Sequence, residues 1–279
     1  MNQKNPIIKD FIKINPKSKF IKTSYKIRDL KKGKVILEKR SGALLLDKYS
    51  LEKDYYKKQL PEVSTPDKFC KSHLEFFLKK NKFNNICDFG CGYAKYLNVF
   101  KKYSKNFYGI EINKKKQLFL KKRKINFETN LLNFNINFDL ISFIFSFNHL
   151  PNQLEILNSV RTKLNKNGKI FMILINASDL IFQKNINQDY QDFRISKEFL
   201  VLHSSKSIEA FLKKAKFKNI KIFHKQRYEI DNLFKWLFLK EKNLYNQIKR
   251  TDFKEINSIY KTYLEKNKCS DTLLVQASV

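Results

Sequence analysis

The chain has 279 residues, 42% of them hydrophobic with 26 Phe and 13 Tyr, enough for one large domain, or a domain with an appendage, around a sizeable core. No stretch approaches the roughly 20 apolar residues that span a bilayer, and Met1–Ile14 lacks the continuous apolar segment and cleavage site of a secretory signal, so a membrane span is excluded and a cytoplasmic location is expected. The net charge of +31 rests on 57 basic residues of which only seven are Arg; phosphate-reading surfaces draw on Arg's planar fork, so the charge reads first as a compositional bias toward Lys and second as a nucleic-acid surface.

Residues 1–68 read as a polar, irregular N-terminal appendage. It holds strand-like pieces at Lys34–Lys39 and Ala43–Asp47 and a Tyr-rich stretch at Tyr49–Tyr56, and Pro61 and Pro66 punctuate its end. From Asp67 the pattern changes: Phe69, His73, Phe76 and Phe77 recur at helical spacing. A strand–helix alternation follows. Asn85–Phe89 is the first strand and Tyr93–Tyr103 its helix. Phe107–Ile112 is the second strand and Lys114–Lys124 its helix. Ile125–Phe127 is a short third strand and Phe138–Phe145 an apolar fourth. The helix Pro151–Leu164 carries Pro in its first turn, where the missing N–H costs nothing. A turn at Asn167–Gly168 leads to the fifth strand, Lys169–Ile175. The helix Ser207–Ala215 and the strands Asn219–His224 and Thr272–Ala277 complete the pattern. An aromatic, basic, helical insertion at about 230–268, containing the single Trp236, separates the last two strands. Residues 69–279 therefore predict an α/β domain, a parallel sheet with helices on both faces.

The cysteines, Cys70, Cys87, Cys91 and Cys269, form no C-x-x-C pair. Cys70 and His73 have ligand-like spacing but sit in a helical pattern without a second pair. Neither a metal site nor a disulfide framework is expected.

The chemistry concentrates in Asp88-Phe89-Gly90-Cys91-Gly92-Tyr93-Ala94, between the first strand and its helix. Ligands bind at the carboxyl ends of strands in open α/β sheets. Glycines there let the backbone approach a ligand, and helix N–H groups point at it. A dinucleotide fingerprint would place a third glycine at 95, where the chain has Lys95. An acid two residues before the first glycine suits a cationic ligand instead. Glu111 ends the second strand, about twenty residues on, where a carboxylate accepts hydrogen bonds from ribose hydroxyls. Singly, Asp88 reads as a strand-end cap and Glu111 as a surface charge. Together, around a G-x-G, they point to a nucleoside that carries positive charge.

These residues carry a resemblance. NNICDFGCGYAKYL resembles the first motif of class I S-adenosylmethionine (SAM)-dependent methyltransferases, and FYGIEIN their second-strand acid motif. The stretch from Phe138 to Leu174 is similar to their fourth strand, following helix and fifth strand. The likeness covers about Phe69–Asn176 well and the later strands more loosely. It implies a Rossmann-like, mostly parallel sheet with an antiparallel last strand. It also implies SAM as cofactor, with Asp88, Gly90 and Gly92 lining the methionine end, Glu111 holding the ribose, and Phe89, Cys91, Tyr93 and Ile112 among the cofactor-binding residues. Asn130 and Leu131 would edge the adenine, with Asn130 in place of the usual acid, and Ser146, Phe147 and His149 would lie below the sulfonium. The segment from His203 to Leu237 further resembles bacterial methyltransferases associated with surface-polysaccharide and nucleotide-sugar genes. Those often begin with a small zinc ribbon, C-x-x-C-G. Here the outline persists as Glu38-x-x-Ser41-Gly42 without the cysteines, so no zinc is expected.

Methyl transfer from a sulfonium is an in-line displacement in which the protein chiefly aligns the reactants. Tyr93 and Phe147 are candidate aromatic faces for the cation; the plain alternative is core packing. His149, after the fourth strand, and His203, after the fifth, are the candidate bases, against a purely structural role for each. Tyr55, Tyr56 and Tyr190 could close the pocket. The leading expectation is a methyltransferase acting on a small molecule, a sugar or nucleotide-sugar, with segments 1–68, 177–204 and 230–268 shaping the acceptor pocket. The alternatives are an RNA or protein methyltransferase, motivated by the charge, and a non-catalytic SAM-binding protein. Against an amino-group methyltransferase, the chain reads Ser146-Phe147-Asn148-His149 where an N/D-P-P-[YF] run would stand. The oligomeric state leaves no sequence signal.

Overall fold

The computed structural model describes residues 3–28, 30, 33–49, 65–183, 187–239 and 254–279. Its centre is a seven-stranded sheet built from β1 (Phe83–Phe89), β2 (Ser104–Ile110), β3 (Asn126–Glu128), β4 (Phe138–Ile144), β5 (Leu164–Ile175), β6 (Lys218–Lys225) and β7 (Thr272–Ser278). The spatial order is β6-β7-β5-β4-β1-β2-β3. The sheet is mostly parallel, with one antiparallel strand. The chain runs outward from β1 through β2 to β3, then returns to β4 on the other side of β1. The carboxyl end of β1 is thus the switch point where such sheets bind ligands.

The middle strands are apolar almost throughout because helices cover both faces. Leu140, Ile141 and Phe143 of β4 and Ile170, Met172, Ile173 and Leu174 of β5 have no exposed surface. Rings fill the layers between strands and helices. Phe77 stacks on Phe171 with centroids 4.7 Å apart, and Phe89 on Phe143 at 5.0 Å. Such pairs add about 0.5–1.5 kcal/mol beyond the area they bury. The edge strand β6 instead alternates between more and less exposed positions.

The helices flanking the first half of the sheet are α1 (Lys68–Leu78), α2 (Leu97–Tyr103), α3 (Lys114–Lys122) and α4 (Gln153–Lys163). Asp67 caps α1, its side chain accepting from Cys70 N. Three details depart from the sequence expectation. Helix α2 begins four residues later than Tyr93, because Ala94 takes φ +51°, a left-handed conformation that a right-handed helix cannot contain. Pro151 lies outside α4, since Asn152 at φ +51° is its N-cap and Gln153 its first residue. Asn167–Gly168 is a bulge inside β5 rather than a turn before it, the register shifting between Leu164 and Lys169.

By compactness the chain divides into two units, one gathering residues 51–173, 211–221 and 275–279, the other 1–50, 174–210 and 222–274. The second contains a four-stranded antiparallel sheet in the order 201–202, 44–46, 35–38, 20–22. The hairpin Val35–Glu38/Leu44–Leu46 realises the two strand-like pieces read from the sequence. Its turn is closed by Glu38, which accepts from Ser41 N at 2.7 Å and Ser41 Oγ at 2.6 Å. A helix at Ile7–Ile14, not anticipated in the polar N-terminal segment, buries Ile7, Ile8 and Phe11. Asn5 ties these pieces together, donating to Leu46 O at 2.8 Å and Leu200 O at 2.7 Å. The insertion before β7 is helical at Ile230–Phe234, Lys235–Leu239 and Lys254–Lys266. Among the described residues no helix is long and apolar enough to cross a membrane.

Candidate active site

The register of the sheet sets the first contact. Asp88 of β1 stands opposite Ser142 of β4 and Gly109 of β2. Ser142 Oγ therefore donates to Asp88 Oδ1 at 2.7 Å. Asp88 is only 4% exposed. Burial pushes its carboxyl up to about 7; the Ser142 bond and the nearby Lys95 hold it down, and Glu111 pushes the same way as burial. Burial likewise drives the Cys87 and Cys91 thiols and the Tyr96 phenol far up. None of these is a nucleophile at neutral pH, because the thiolate is the reactive form of cysteine.

Past Phe89 the chain must turn sharply. Gly90 N and Cys91 N both donate to Ile110 O, at 2.9 and 3.0 Å. Gly90 takes φ +81°, and a Cβ there would meet Ser146 Cβ at 2.7 Å. Ser146 Oγ in turn donates to Phe89 O. Only glycine fits this corner on both counts. Gly90→Ala is expected to cost ~1–2 kcal/mol through backbone strain, with the Ser146 overlap in addition; a thermal melt checks this, and an unchanged melting temperature would refute the tight corner. Gly92 differs: φ is +57°, yet nothing lies within 4 Å of a Cβ built on it. Its backbone faces open space.

Glu111 follows β2 and is 6% exposed. Its Oε2 accepts from Gly92 N at 3.0 Å and its Oε1 from Asn113 N at 2.6 Å. The carboxylate thus clamps the glycine turn from one side and the start of α3 from the other. Asn113 caps α3 through Lys115 N and Lys116 N. The two sequence-identified acids are therefore brought to one turn. The cleft beside Asp88 has a volume of about 230 Å³ and is lined by Asp88, Gly90, Cys91, Gly92, Tyr93 and Lys95, among others; Glu111 does not line it but braces its Gly92 wall. Lys116, Ile144 and Phe145 also line it and were not legible as site residues; Lys95 was noticed only for not being glycine. Lysines on a helix start carry no distinctive signal in a chain this rich in them.

Ile112, beside Glu111, is 59% exposed, unusual for an isoleucine. Asn130 caps a short turn, accepting from Leu132 N at 3.0 Å, and Leu131 is buried. Tyr93 packs edge-on against Phe119 and carries Lys116 Nζ 5.8 Å from its ring centre. Phe147 is wholly buried edge-on against Phe143; its ring belongs to the core. His149 closes the turn Phe147–His149 after β4 and is half-buried.

His203 is wholly buried, with Nδ1 3.0 Å from Ser207 Oγ. Burial pulls its imidazole down to about 3, below the range that suits a general base at neutral pH. Tyr190 is buried as well, donating to Asp179 Oδ2 at 2.9 Å and packing edge-on against Trp236. Tyr55 and Tyr56 lie outside the described residues. Among the described residues no three His, Cys, Asp or Glu side chains gather as a metal site.

The cleft fits the expected cofactor by three observations: a buried acid poised near neutrality, a second acid held at the turn, and a glycine whose missing side chain leaves the floor open. A family model described as "Methyltransferase domain" matches residues 58–222. An uncharacterised protein of Methanocaldococcus jannaschii is 30% identical over 174 residues, 57% of this chain and 72% of that protein. Among solved structures, a SAM-dependent methyltransferase of Archaeoglobus fulgidus is similar with a TM-score of 0.52 at 17% identity, over 76% of this chain and 93% of that one, a likeness of fold. The chain belongs to the methyltransferase-domain family, and it is an S-adenosylmethionine-dependent methyltransferase.

Proposed function

We propose that the cleft at Asp88, Gly92 and Glu111 holds SAM, and that the enzyme methylates a small-molecule acceptor, a sugar or nucleotide-sugar, in the cytoplasm. The observation that carries the cofactor assignment is the state of Glu111. An ionised carboxylate offers about four lone-pair positions. Gly92 N and Asn113 N take two of them, which leaves two for the vicinal hydroxyls of a ribose. Ile112, exposed beside it, offers an apolar face for the adenine ring. Asp88 attracts the ammonium end, and Lys95 and Lys116 are placed on the cleft to meet the carboxylate of the same amino-acid moiety. When bound, SAM supplies an electrophilic methyl group on a sulfonium.

The acceptor reading rests on the turn after β4. Ser146–His149 puts a half-buried imidazole where amino-group methyltransferases carry an N/D-P-P-[YF] run. A histidine at that place suits an acceptor that must lose a proton, such as a sugar hydroxyl. The Glu38–Ser41–Gly42 turn supports the link to the polysaccharide-associated enzymes, because it stands where their C-x-x-C-G run would and is closed by hydrogen bonds from Ser41 to Glu38. Methyl transfer from radiolabelled SAM to a panel of nucleotide-sugars and free sugars tests the acceptor class. Labelling of none of them, with labelling of RNA or protein instead, would overturn it.

The charge of +31 favours RNA as the second reading. A salt titration separates the two: phosphate binding weakens steeply and log-linearly as salt rises, and a true RNA enzyme retains specific binding at physiological ionic strength. Binding lost there leaves the small-molecule reading in place.

A further inference from the structure

Ser142 is a polar side chain in the apolar middle of β4. It sits between Ile141 and Phe143, and all three have no exposed surface. A buried hydroxyl without a hydrogen bond is costly, so its place in this run needs a partner. On one side Ser142 stands opposite Phe171 of β5, a ring with no acceptor. On the other it stands opposite Asp88 of β1. Its hydroxyl has one proton to give and two acceptors in reach, Asp88 Oδ1 at 2.7 Å and Cys87 O at 3.4 Å. The shorter contact, to a carboxylate, is the stronger. Asp88 Oδ2 accepts no hydrogen bond among the described residues and is not closed off from solvent. Asp88 lines the cleft, and Ser142 does not.

We propose that Ser142 is a positioning residue for the cofactor: its hydroxyl holds Asp88 Oδ1 and so fixes the carboxylate with Oδ2 turned to the cleft, where it receives the ammonium of SAM. This rests on the assignment of Asp88 to that ammonium and deepens it. A hydrogen bond to the charged form of a carboxyl favours that form, and here it works against burial, which favours the neutral one. Lys95 supports Ser142 in this, and Glu111 opposes it. The Cys87 and Cys91 thiols and the Tyr96 phenol complete the titratable groups around the carboxyl, and burial holds all three neutral. Ser142, set back from the cleft, acts through Asp88 alone.

Equilibrium dialysis of SAM against the full-length Ser142→Ala variant at pH 6 and pH 8 tests this. The substitution removes one oxygen and leaves the surrounding charges in place. Losing a bond to the charged form should raise the proton affinity of Asp88 about tenfold. With Asp88 titrating at about 7 in the wild type, SAM affinity should then fall about tenfold at pH 6 but only about twofold at pH 8. The ligand's own ionisation cancels in the ratio of variant to wild type. Ser142→Cys, a weaker donor, should fall between the two, and it gives the same pH comparison should the alanine variant not fold. On an Asp88→Asn background, Ser142→Ala should change the affinity by less than about twofold at either pH. No loss at pH 6, an equal loss at both pH values, or a loss that persists on the Asp88→Asn background overturns the proposal and leaves Ser142 a packing residue. Undiminished SAM affinity in Asp88→Asn itself at pH 8 would instead overturn the assignment of Asp88, and the role of Ser142 with it.

Discussion

Glu111→Ala is expected to weaken SAM binding about a hundredfold and to loosen the glycine turn at the same time. Two charge-assisted bonds from backbone N–H groups end on this one carboxylate. Bonds to charged groups contribute roughly 1.5–3 kcal/mol each, and the alanine leaves both donors without their partner in a largely buried corner. The ribose contacts proposed for the remaining lone pairs are lost as well. The two effects separate experimentally. Equilibrium dialysis reads the affinity, and amide exchange at Gly92 and Asn113 reads the turn. Glu111→Gln keeps one acceptor oxygen and should fall between wild type and alanine on both measures. Faster exchange with full SAM affinity would show that Glu111 braces the turn without touching the cofactor.

A second large effect is expected at Asp88 and depends on pH. The groups facing its carboxyl are Ser142, Lys95, Glu111, the buried thiols Cys87 and Cys91, and Tyr96. Desolvation outweighs the two stabilising neighbours, so the folded protein holds this proton up to about 7 whereas the unfolded chain releases it near 3.8. The stability linked to that proton is fully present below 3.8 and is lost as the pH rises through about 7. A cationic ligand prefers the ionised form and so binds better on the alkaline side. The SAM dissociation constant should fall about tenfold between pH 6 and pH 8, since one pKa unit is a factor of ten. Asp88→Asn keeps a partner for Ser142 but cannot ionise. It should bind SAM more weakly by roughly 2 kcal/mol at pH 8, flatten the pH profile of binding, and raise the melting temperature above pH 7. A wild-type affinity that is flat across this range would show that Asp88 does not meet a positive charge.

The strand–helix alternation was legible because parallel strands covered on both faces must be apolar runs, and FDLISFIF and KIFMILI are unmistakable as such. The site was legible for a related reason. A turn with Gly90 and Gly92 between a strand and a helix has few uses, and acids at 88 and 111 narrow them further. What the pattern missed has physical causes too. Ala94 carries a left-handed conformation that its side chain does not advertise, so α2 starts late. The helix Ile7–Ile14 is short and interrupted by lysines, and its apolar side becomes visible only once Ile7, Ile8 and Phe11 are seen buried. Histidines at 149 and 203 look alike in a string of letters. Tertiary burial alone separates a half-exposed ring after β4 from one sealed in the core.

The sequence by itself determined the order of strands and helices, the glycine corner and the two acids that flank it, because these depend on local backbone geometry and short-range hydrophobic pattern. Only the tertiary structure decided what each acid does. Register across β1 and β4 brings Ser142 to Asp88 from 54 residues away, and withdrawal from water then sets its proton affinity. The same folding turns Glu38, one letter in a polar stretch, into a buried carboxylate that closes the Ser41 turn, because neither burial nor hydrogen-bond pairing is a property of a residue's neighbours in sequence.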